Sequence, residues 1–186
     1  PKPPRACRGS LLFAHFGLSG PVALDISREI SAAPRSRRPT LVGDLLPELS
    51  QTQLGELLRG ASVEAGRRRV ASLLEPWLPR RVAEALVART EIDPNRRAAE
   101  LARSERSRLI ERIKQLRIHT NGTLGFEKAE VTAGGVALDE VDSHTMQSRL
   151  APGLFLAGEL LDLDGPIGGY NLQAAFSTGW QAGSHI

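Results

Sequence analysis

The stretch GPIGGYNLQ, residues 165–173, places three glycines and a proline directly before a segment that is typical of the first turn of a helix. Glycine permits positive φ and lets another molecule approach the backbone closely. The first turn of a helix also offers unpaired N–H groups and a partial positive charge. The stretch therefore indicates a place where a ligand touches the backbone, although a tight turn without a ligand has the same composition.

The residues before this stretch extend the pattern. The apolar run at 154–157 predicts a buried strand that ends at Gly158 and Glu159. A loop with Asp162, Asp164 and more glycines follows, and a small-residue helix is predicted over 171–183. Ligands of open α/β sheets gather at the carboxyl ends of strands. The helix start and the glycines together predict a site for a flat, electron-rich group that accepts hydrogen bonds. The sequence has neither a dinucleotide nor a P-loop fingerprint here.

Composition bounds the class of protein. The chain has 186 residues, of which 41% are hydrophobic and 24% charged, which is ordinary for one or two globular domains. Cys7 is the single cysteine, so an intramolecular disulfide is excluded and a reducing, cytoplasmic location is expected. No apolar run reaches the roughly 18 residues of a membrane span. Because the chain starts at Pro1 rather than Met, we expect a fragment.

Charge is divided unevenly along the chain. Residues 51–120 carry 15 basic and 9 acidic side chains, whereas residues 121–186 carry 2 and 8. This division favours two units with different surfaces. A basic helical nucleic-acid-binding module is the alternative function, but the excess is modest and no aromatic platform or zinc pattern accompanies it. We therefore expect no nucleic-acid partner and interpret Arg67–Arg69 as a solvated helical face.

Periodicity predicts the remaining elements. A helix is expected from Pro21 to about Ile30, capped by Ser19, and a short strand near residues 41–42. Apolar spacing between 51 and 116 predicts four or five short helices in a bundle; it rests on Leu54, Leu57, Leu58, Val70, Leu73, Leu74, Val82, Leu86, Val87, Leu101, Leu109, Ile110 and Ile113. Asn121–Gly122 is a turn signal, and short β-like runs are expected around Val131, Val136 and Val141.

Two segments together resemble a known family. Residues 125–183 contain the motifs VTAGGV, TMQS, AGE and GGYNLQ in this order. This segment resembles the C-terminal signature of the HI0933-like flavoproteins. The segment LLFAHFGLSGPVALDIS, residues 11–27, resembles an earlier part of that family. The helical middle falls where the family has an insert domain. The family consists of FAD-dependent oxidoreductases.

The resemblance implies an α+β architecture: a helical-bundle insert domain plus the C-terminal returning segment of an FAD/NAD(P)-binding α/β domain. It implies residues 1–45 as the end of a β-rich insert segment with one helix, 46–118 as the helical bundle, and 119–186 as the returning segment. The N-terminal FAD-binding βαβ unit would be missing, so this chain alone would be inactive. FAD is the implied cofactor, NAD(P)H a candidate reductant, and a small molecule the substrate.

The resemblance also implies site residues. Glu159 would lie near the ribityl hydroxyls of FAD, and the N–H groups around Tyr170–Leu172 would face the pyrimidine edge of the flavin. The full set of expected cofactor-binding residues is Gly158, Glu159, Asp164, Gly165, Gly168, Gly169, Tyr170, Asn171 and Leu172. Catalytic residues are not identified.

Three other features have two readings each. His15 lies near glycines and is either structural or catalytic. Asp162 and Asp164 resemble a metal pair, but no His or Cys is spaced nearby, so loop capping is preferred and no metal is expected. Thr132, Gly134 and Gly135 form a tight turn, with or without a cofactor beside it.

Overall fold

The computed structural model describes residues 5–93 and 95–186; residues 1–4 of the first predicted segment lie outside this description. The described chain forms two compact units. Residues 40–120 form a helical unit, and residues 5–39 with 121–186 form a glycine-rich unit. The elements are β1 (Leu12–Ala14), β2 (Gly17–Ser19), α1 (Pro21–Ser31), β3 (Leu41–Gly43), α2 (Gln51–Glu64), α3 (Arg80–Ala88), α4 (Arg103–Lys114), β4 (Leu116–Ile118) and α5 (Tyr170–Gly183).

The helical unit has a well-filled core. Its helices begin where the sequence provides caps: the Ser50 hydroxyl accepts from the Gln53 N–H, and the Gln53 side chain accepts from the Ser50 N–H. Glu105 accepts from the Ala102 N–H at the start of α4 and pairs with Arg96 at 2.8 Å, which lowers the pKa of this carboxyl. The buried side chains are supplied by all three helices and the segments between them; the largest are Leu54, Leu58, Leu74, Leu109, Ile113, Val70 and Val87.

Three of the predicted four or five helices are present as α-helices, and the prediction is wrong in two details. α2, α3 and α4 lie where the apolar spacing places them. Val70–Leu73 forms a 3-10 helix instead of an α-helix. Its length of four residues is typical of 3-10 helices. Leu57 is 41% exposed although its spacing resembles that of the core positions Leu54 and Leu58, since the inward stripe of α2 is narrower than the pattern suggests.

Lys114 joins the two ends of the helical unit. Its ammonium group lies 2.6 Å from Asp44 and donates to the carbonyl oxygens of Leu46 and Leu49. The side chain is 10% exposed. Next to it, β3 pairs with β4 in antiparallel register, Val42 opposite Arg117. A single cation therefore satisfies the polar groups of the turn that leads into α2.

We predict that Lys114→Met lowers the free energy of unfolding of the helical unit by about 1–3 kcal/mol, because two carbonyls and one carboxylate lose their donor. Urea unfolding followed by Trp77 fluorescence, with Trp180 replaced by Phe, measures this. Arg108→Met removes an exposed charge from the same helix and serves as the control, with an expected change within about 0.5 kcal/mol. Equal effects of the two substitutions would contradict the role of Lys114.

The glycine-rich unit is held together by few regular elements. β1 and β2 form a hairpin that leads into α1. Residues 121–186 contribute α5 and short 3-10 turns at Phe126–Lys128, Leu138–Glu140 and Gly158–Leu160. A small core joins these turns to the inner face of α5; it consists of Val141, Met146, Leu156, Leu161 and Ala182. With α1, α5 and two small sheets in the described chain, the coarse α+β class is confirmed.

Several predicted elements of the glycine-rich unit are wrong. Residues 154–157 are extended but make an isolated bridge, Gln147 with Phe155, instead of joining a sheet. The β-like runs around Val136 and Val141 likewise reduce to single bridges. A strand needs a ladder of hydrogen bonds with its neighbour, and in the part of this unit that the structure describes each of these pairings is limited to one bridge. α1 starts from Gly20 without a side-chain cap, so Ser19 does not cap it.

The two units differ in how they cover apolar surface. Most of the exposed large hydrophobic side chains in the described residues belong to the glycine-rich unit, among them Leu172, Phe176 and Trp180 of α5. Trp180 is 78% exposed. These three residues follow i, i+4, i+8 spacing and form one stripe on the outer face of α5. No helix in the described ranges has the length and apolar character required to cross a membrane.

Candidate functional site

The start of α5 has an open first turn. Gly169 precedes the helix in the left-handed conformation, with φ at 91°, and provides no capping side chain. The backbone N–H groups of Asn171 and Leu172 have no acceptor among the residues that the structure describes, whereas the Gln173 N–H bonds the Gly169 carbonyl. A Cβ on Gly169 would meet nothing within 4 Å. The first turn thus presents hydrogen-bond donors to open space.

The side chain of Asn171 holds the loop in front of this turn. Its Oδ1 accepts from the Gly165 N–H at 2.7 Å, and its Nδ2 donates to the Gly165 carbonyl at 2.9 Å. The approach is close, since a Cβ on Gly165 would lie 3.2 Å from the Cβ of Tyr170. A Cβ here would press on Tyr170, and the pair of hydrogen bonds closes residues 165–171 into a ring.

Helix α1 fixes the same loop from the other side. Asp25 accepts a hydrogen bond from the Ile167 N–H at 2.7 Å. Arg28, one turn further on, forms an ion pair with Asp164, whose side chain is 14% exposed. Asp25 and Arg28 are separated by three residues and therefore share one face of α1. Two segments that are 136 to 142 residues apart in the chain meet at this loop.

Gly158 and Glu159 lie beside the second and third turns of α5. The Gly158 N–H donates to the Thr178 hydroxyl at 2.9 Å, and a Cβ on Gly158 would be 3.9 Å from Ala175. Gly158 has φ at 72°, so glycine suits the backbone as well as the space. Glu159 Oε1 accepts from the Thr132 N–H at 2.7 Å. The second carboxylate oxygen of this exposed side chain has no partner among the described residues.

A parallel bridge supports the segment that follows Glu159. The Val136 N–H donates to the Leu160 carbonyl, and the Asp162 N–H donates to the Val136 carbonyl, both at 2.9 Å. Gly135 makes this contact possible, because a Cβ there would lie 2.5 Å from the Leu160 carbonyl oxygen. Thr132, Gly134 and Gly135 therefore form a turn that is packed against residues 159–162.

The expected site residues fall into two groups around α5. Asp164, Gly165, Gly168, Gly169 and the first turn of the helix form one, and Gly158 with Glu159 forms the other; no direct contact joins Glu159 to the loop in the described structure. His15 stacks edge-on against Phe16 at 5.1 Å and makes no described contact with either group. In the described ranges, Asp162 and Asp164 belong to no group of three or more residues that could hold a metal ion.

Sequence reasoning missed three residues that support the site: Asp25, Arg28 and Thr178. Asp25 and Arg28 are charged residues in the largely apolar first part of α1, and they lie on one face of the helix. This spacing indicates that both side chains bind the same neighbouring segment. Thr178 lies in a helix rich in small residues and carries no signal of its own.

Comparison with known proteins identifies the family. The family model described as the HI0933-like protein barrel and H2TH domain matches residues 2–131 of this chain. That is more than half of the 186 residues. This chain belongs to the HI0933-like family. The predicted family is thereby confirmed, and the matched range includes residues 11–27.

Curated relatives cover nearly the whole chain. The 3-dehydro-bile acid delta(4,6)-reductase of Clostridium scindens is 35% identical over 94% of the chain and 43% of its own length. The ribosomal RNA dihydrouridine synthase of Escherichia coli is 36% identical over 93% of the chain and 41% of its own length. The enzyme of the same name from Haemophilus influenzae is 31% identical over 91% and 40%. The HI0933-like chain described here thus spans about two fifths of each relative.

We predict that Gly135→Ala disrupts the parallel bridge of this HI0933-like chain. The added Cβ would overlap the Leu160 carbonyl, at a cost of about 1–3 kcal/mol beyond backbone strain. Gly134→Ala is the matched control: Gly134 also has positive φ, but a Cβ there meets nothing within 4 Å. Hydrogen exchange of the Val136 and Asp162 amides measures the bridge. Exchange that is equally fast in the two variants would contradict the steric role of Gly135.

Proposed function

We propose that this chain is part of a flavin-dependent reductase and that the first turn of α5 contacts the flavin. The observation that carries the proposal is the open first turn, where the Asn171 and Leu172 N–H groups have no acceptor among the described residues. The family assignment and the name of a reductase relative support it.

The residues present fit a flavin. A flat ring system with carbonyl oxygens needs donors along one edge and backbone without side chains against its face. The first turn of α5 has the donors, and Gly168 and Gly169 leave space in front of them. Tyr170 and Leu172 are exposed and add apolar surface beside the turn. The free oxygen of Glu159 is able to accept a hydrogen bond from a sugar-alcohol hydroxyl.

The proposal assigns different roles to the expected site residues. A bound flavin would supply hydride transfer. The N–H groups of Asn171 and Leu172 would stabilise negative charge that accumulates at the flavin edge, because they are unpaired and are held in place by the helix. The Asn171 and Asp164 side chains already bind within the protein, so they position the loop rather than touch the cofactor.

The proposal includes a second segment of protein that completes the site. Pyrophosphate recognition in FAD proteins uses a glycine fingerprint that opens a helix, and this chain has none. The exposed stripe of Leu172, Phe176 and Trp180 is the kind of surface that another element covers. We therefore propose that FAD, with NAD(P)H as a candidate reductant, binds between this chain and an FAD-binding segment of a longer, intact protein.

The relatives support one reaction class with two kinds of substrate. A delta(4,6)-reductase and a dihydrouridine synthase both have names that denote saturation of a carbon–carbon double bond. We propose the same reaction for the intact protein: addition of a hydride and a proton to a double bond. The substrate is either a small molecule, as for the bile acid relative, or a uridine base in RNA, as for the two synthases.

In the intact protein, we predict that Asn171→Ala weakens flavin binding about tenfold, because the Gly165 backbone loses two hydrogen bonds and the loop opens. Gln173→Ala is the control. Gln173 is an amide in the same turn, but it bonds Ser177 on the exposed side. Flavin fluorescence titration of the apoprotein measures both. If Gln173→Ala weakens binding as much as Asn171→Ala does, the loop is not what positions the flavin.

Glu159 gives a separate test of the ribityl contact. We predict that Glu159→Ala in the intact protein reduces the flavin content after purification and that His15→Ala does not. The reason is that Glu159 has a free carboxylate oxygen beside the site, whereas His15 contacts Phe16. Absorbance at the flavin and protein bands gives the content. Equal flavin content in Glu159→Ala and wild type counts against the ribityl role.

A further inference from the structure

The helical unit has two open depressions along one face of α2. An open depression of about 450 Å³ lies between α2 and α4 and is lined in part by Arg59, Arg103 and Arg106. A second depression of about 660 Å³ lies at the end of α2 and is lined in part by Arg67, Arg68 and Arg97. Both depressions use the same face of α2, because Thr52, Glu56, Arg59 and Val63 recur at i, i+4, i+7, i+11. We call this surface the α2 groove.

The arginines of the α2 groove are available for a ligand. Arg59, Arg67, Arg97, Arg103 and Arg106 form no ion pair or side-chain hydrogen bond with another described residue. Arg68 has one carboxylate partner, Glu75, at 3.9 Å, which is a weak contact. Elsewhere in the helical unit, Arg80 and Arg96 have close carboxylate partners. Five of the six arginines that line the groove are therefore unpaired, and further unpaired arginines lie elsewhere on the helical unit.

Three carboxylates share the groove with these six arginines: Glu56, Glu64 and Glu100. The local excess is positive. α2 has 14 residues and is therefore about 20 Å long at 1.5 Å per residue. A strip of guanidinium groups over that distance matches a polyanion with several phosphates rather than a single small anion, since each guanidinium forms bidentate bonds with one phosphate.

We propose that the α2 groove binds the phosphate backbone of RNA. This rests on the proposed function, in which a uridine base in RNA is one of the two substrate kinds. It replaces the expectation from composition, because the net charge of the chain does not reveal that five unpaired arginines line these two depressions. The groove would hold the RNA by its backbone, and such contacts position a nucleic acid without reading its sequence.

The experiment uses the full 186-residue chain and a short fluorescently labelled RNA hairpin that contains uridine in its loop. Anisotropy is measured over a range of salt concentrations that includes about 150 mM. We expect binding that weakens with salt. Arg59→Gln combined with Arg106→Gln should weaken it about tenfold at this salt and reduce the salt slope by about 2.

The matched control is Arg81→Gln combined with Arg89→Gln. It removes the same charge from α3 and its C-terminal cap residue, at exposed positions outside the groove. If the control weakens RNA binding as much as the groove variant does, or if wild type does not bind the hairpin, the proposal is overturned. Flavin binding by the intact protein that carries the groove variant is measured in parallel. It should be unchanged, so failure of the RNA arm is distinguishable from failure of the reductase proposal.

Discussion

The two hydrogen bonds between the Asn171 side chain and the Gly165 backbone are the constraint on which the candidate site depends. They place the loop before α5 so that its backbone cannot fold over the first turn. Asp25 and Arg28 hold the same loop from α1. The helix N-terminus remains open as a consequence, and donors that are fixed in place before a ligand arrives need no reorganisation to stabilise its charge.

The contrast between the two units follows from burial. Each helix of the helical unit has an apolar face, and these faces are buried together in one shared core. In the glycine-rich unit, isolated bridges replace sheet ladders and α5 leaves an apolar stripe exposed. Apolar side chains of this size stabilise a fold only when they leave water. The stripe therefore supports the proposed completion by another segment, which is also where the FAD-binding part would be.

The sequence predicted those features that are local. The Pro at the start of α1 and the apolar spacing of α2 and α3 act over a few residues, and the helices lie where these signals are. The glycines before α5 likewise predicted the open turn. The sequence could not show that residues 154–157 form an isolated bridge instead of a strand, because strand formation depends on a partner from elsewhere in the chain. Asp25 and Arg28 were missed for the same reason, since their partners are far along the chain.

The central claim is that the first turn of α5 faces the flavin. Hydrogen–deuterium exchange of the Asn171 and Leu172 amides in the intact protein, with and without FAD, tests it most directly. These two N–H groups have no acceptor among the described residues, so they should exchange quickly in the apoprotein. The account predicts strong protection of both when FAD binds. Protection confined to other parts of the protein, with these two amides still exchanging quickly, would contradict it.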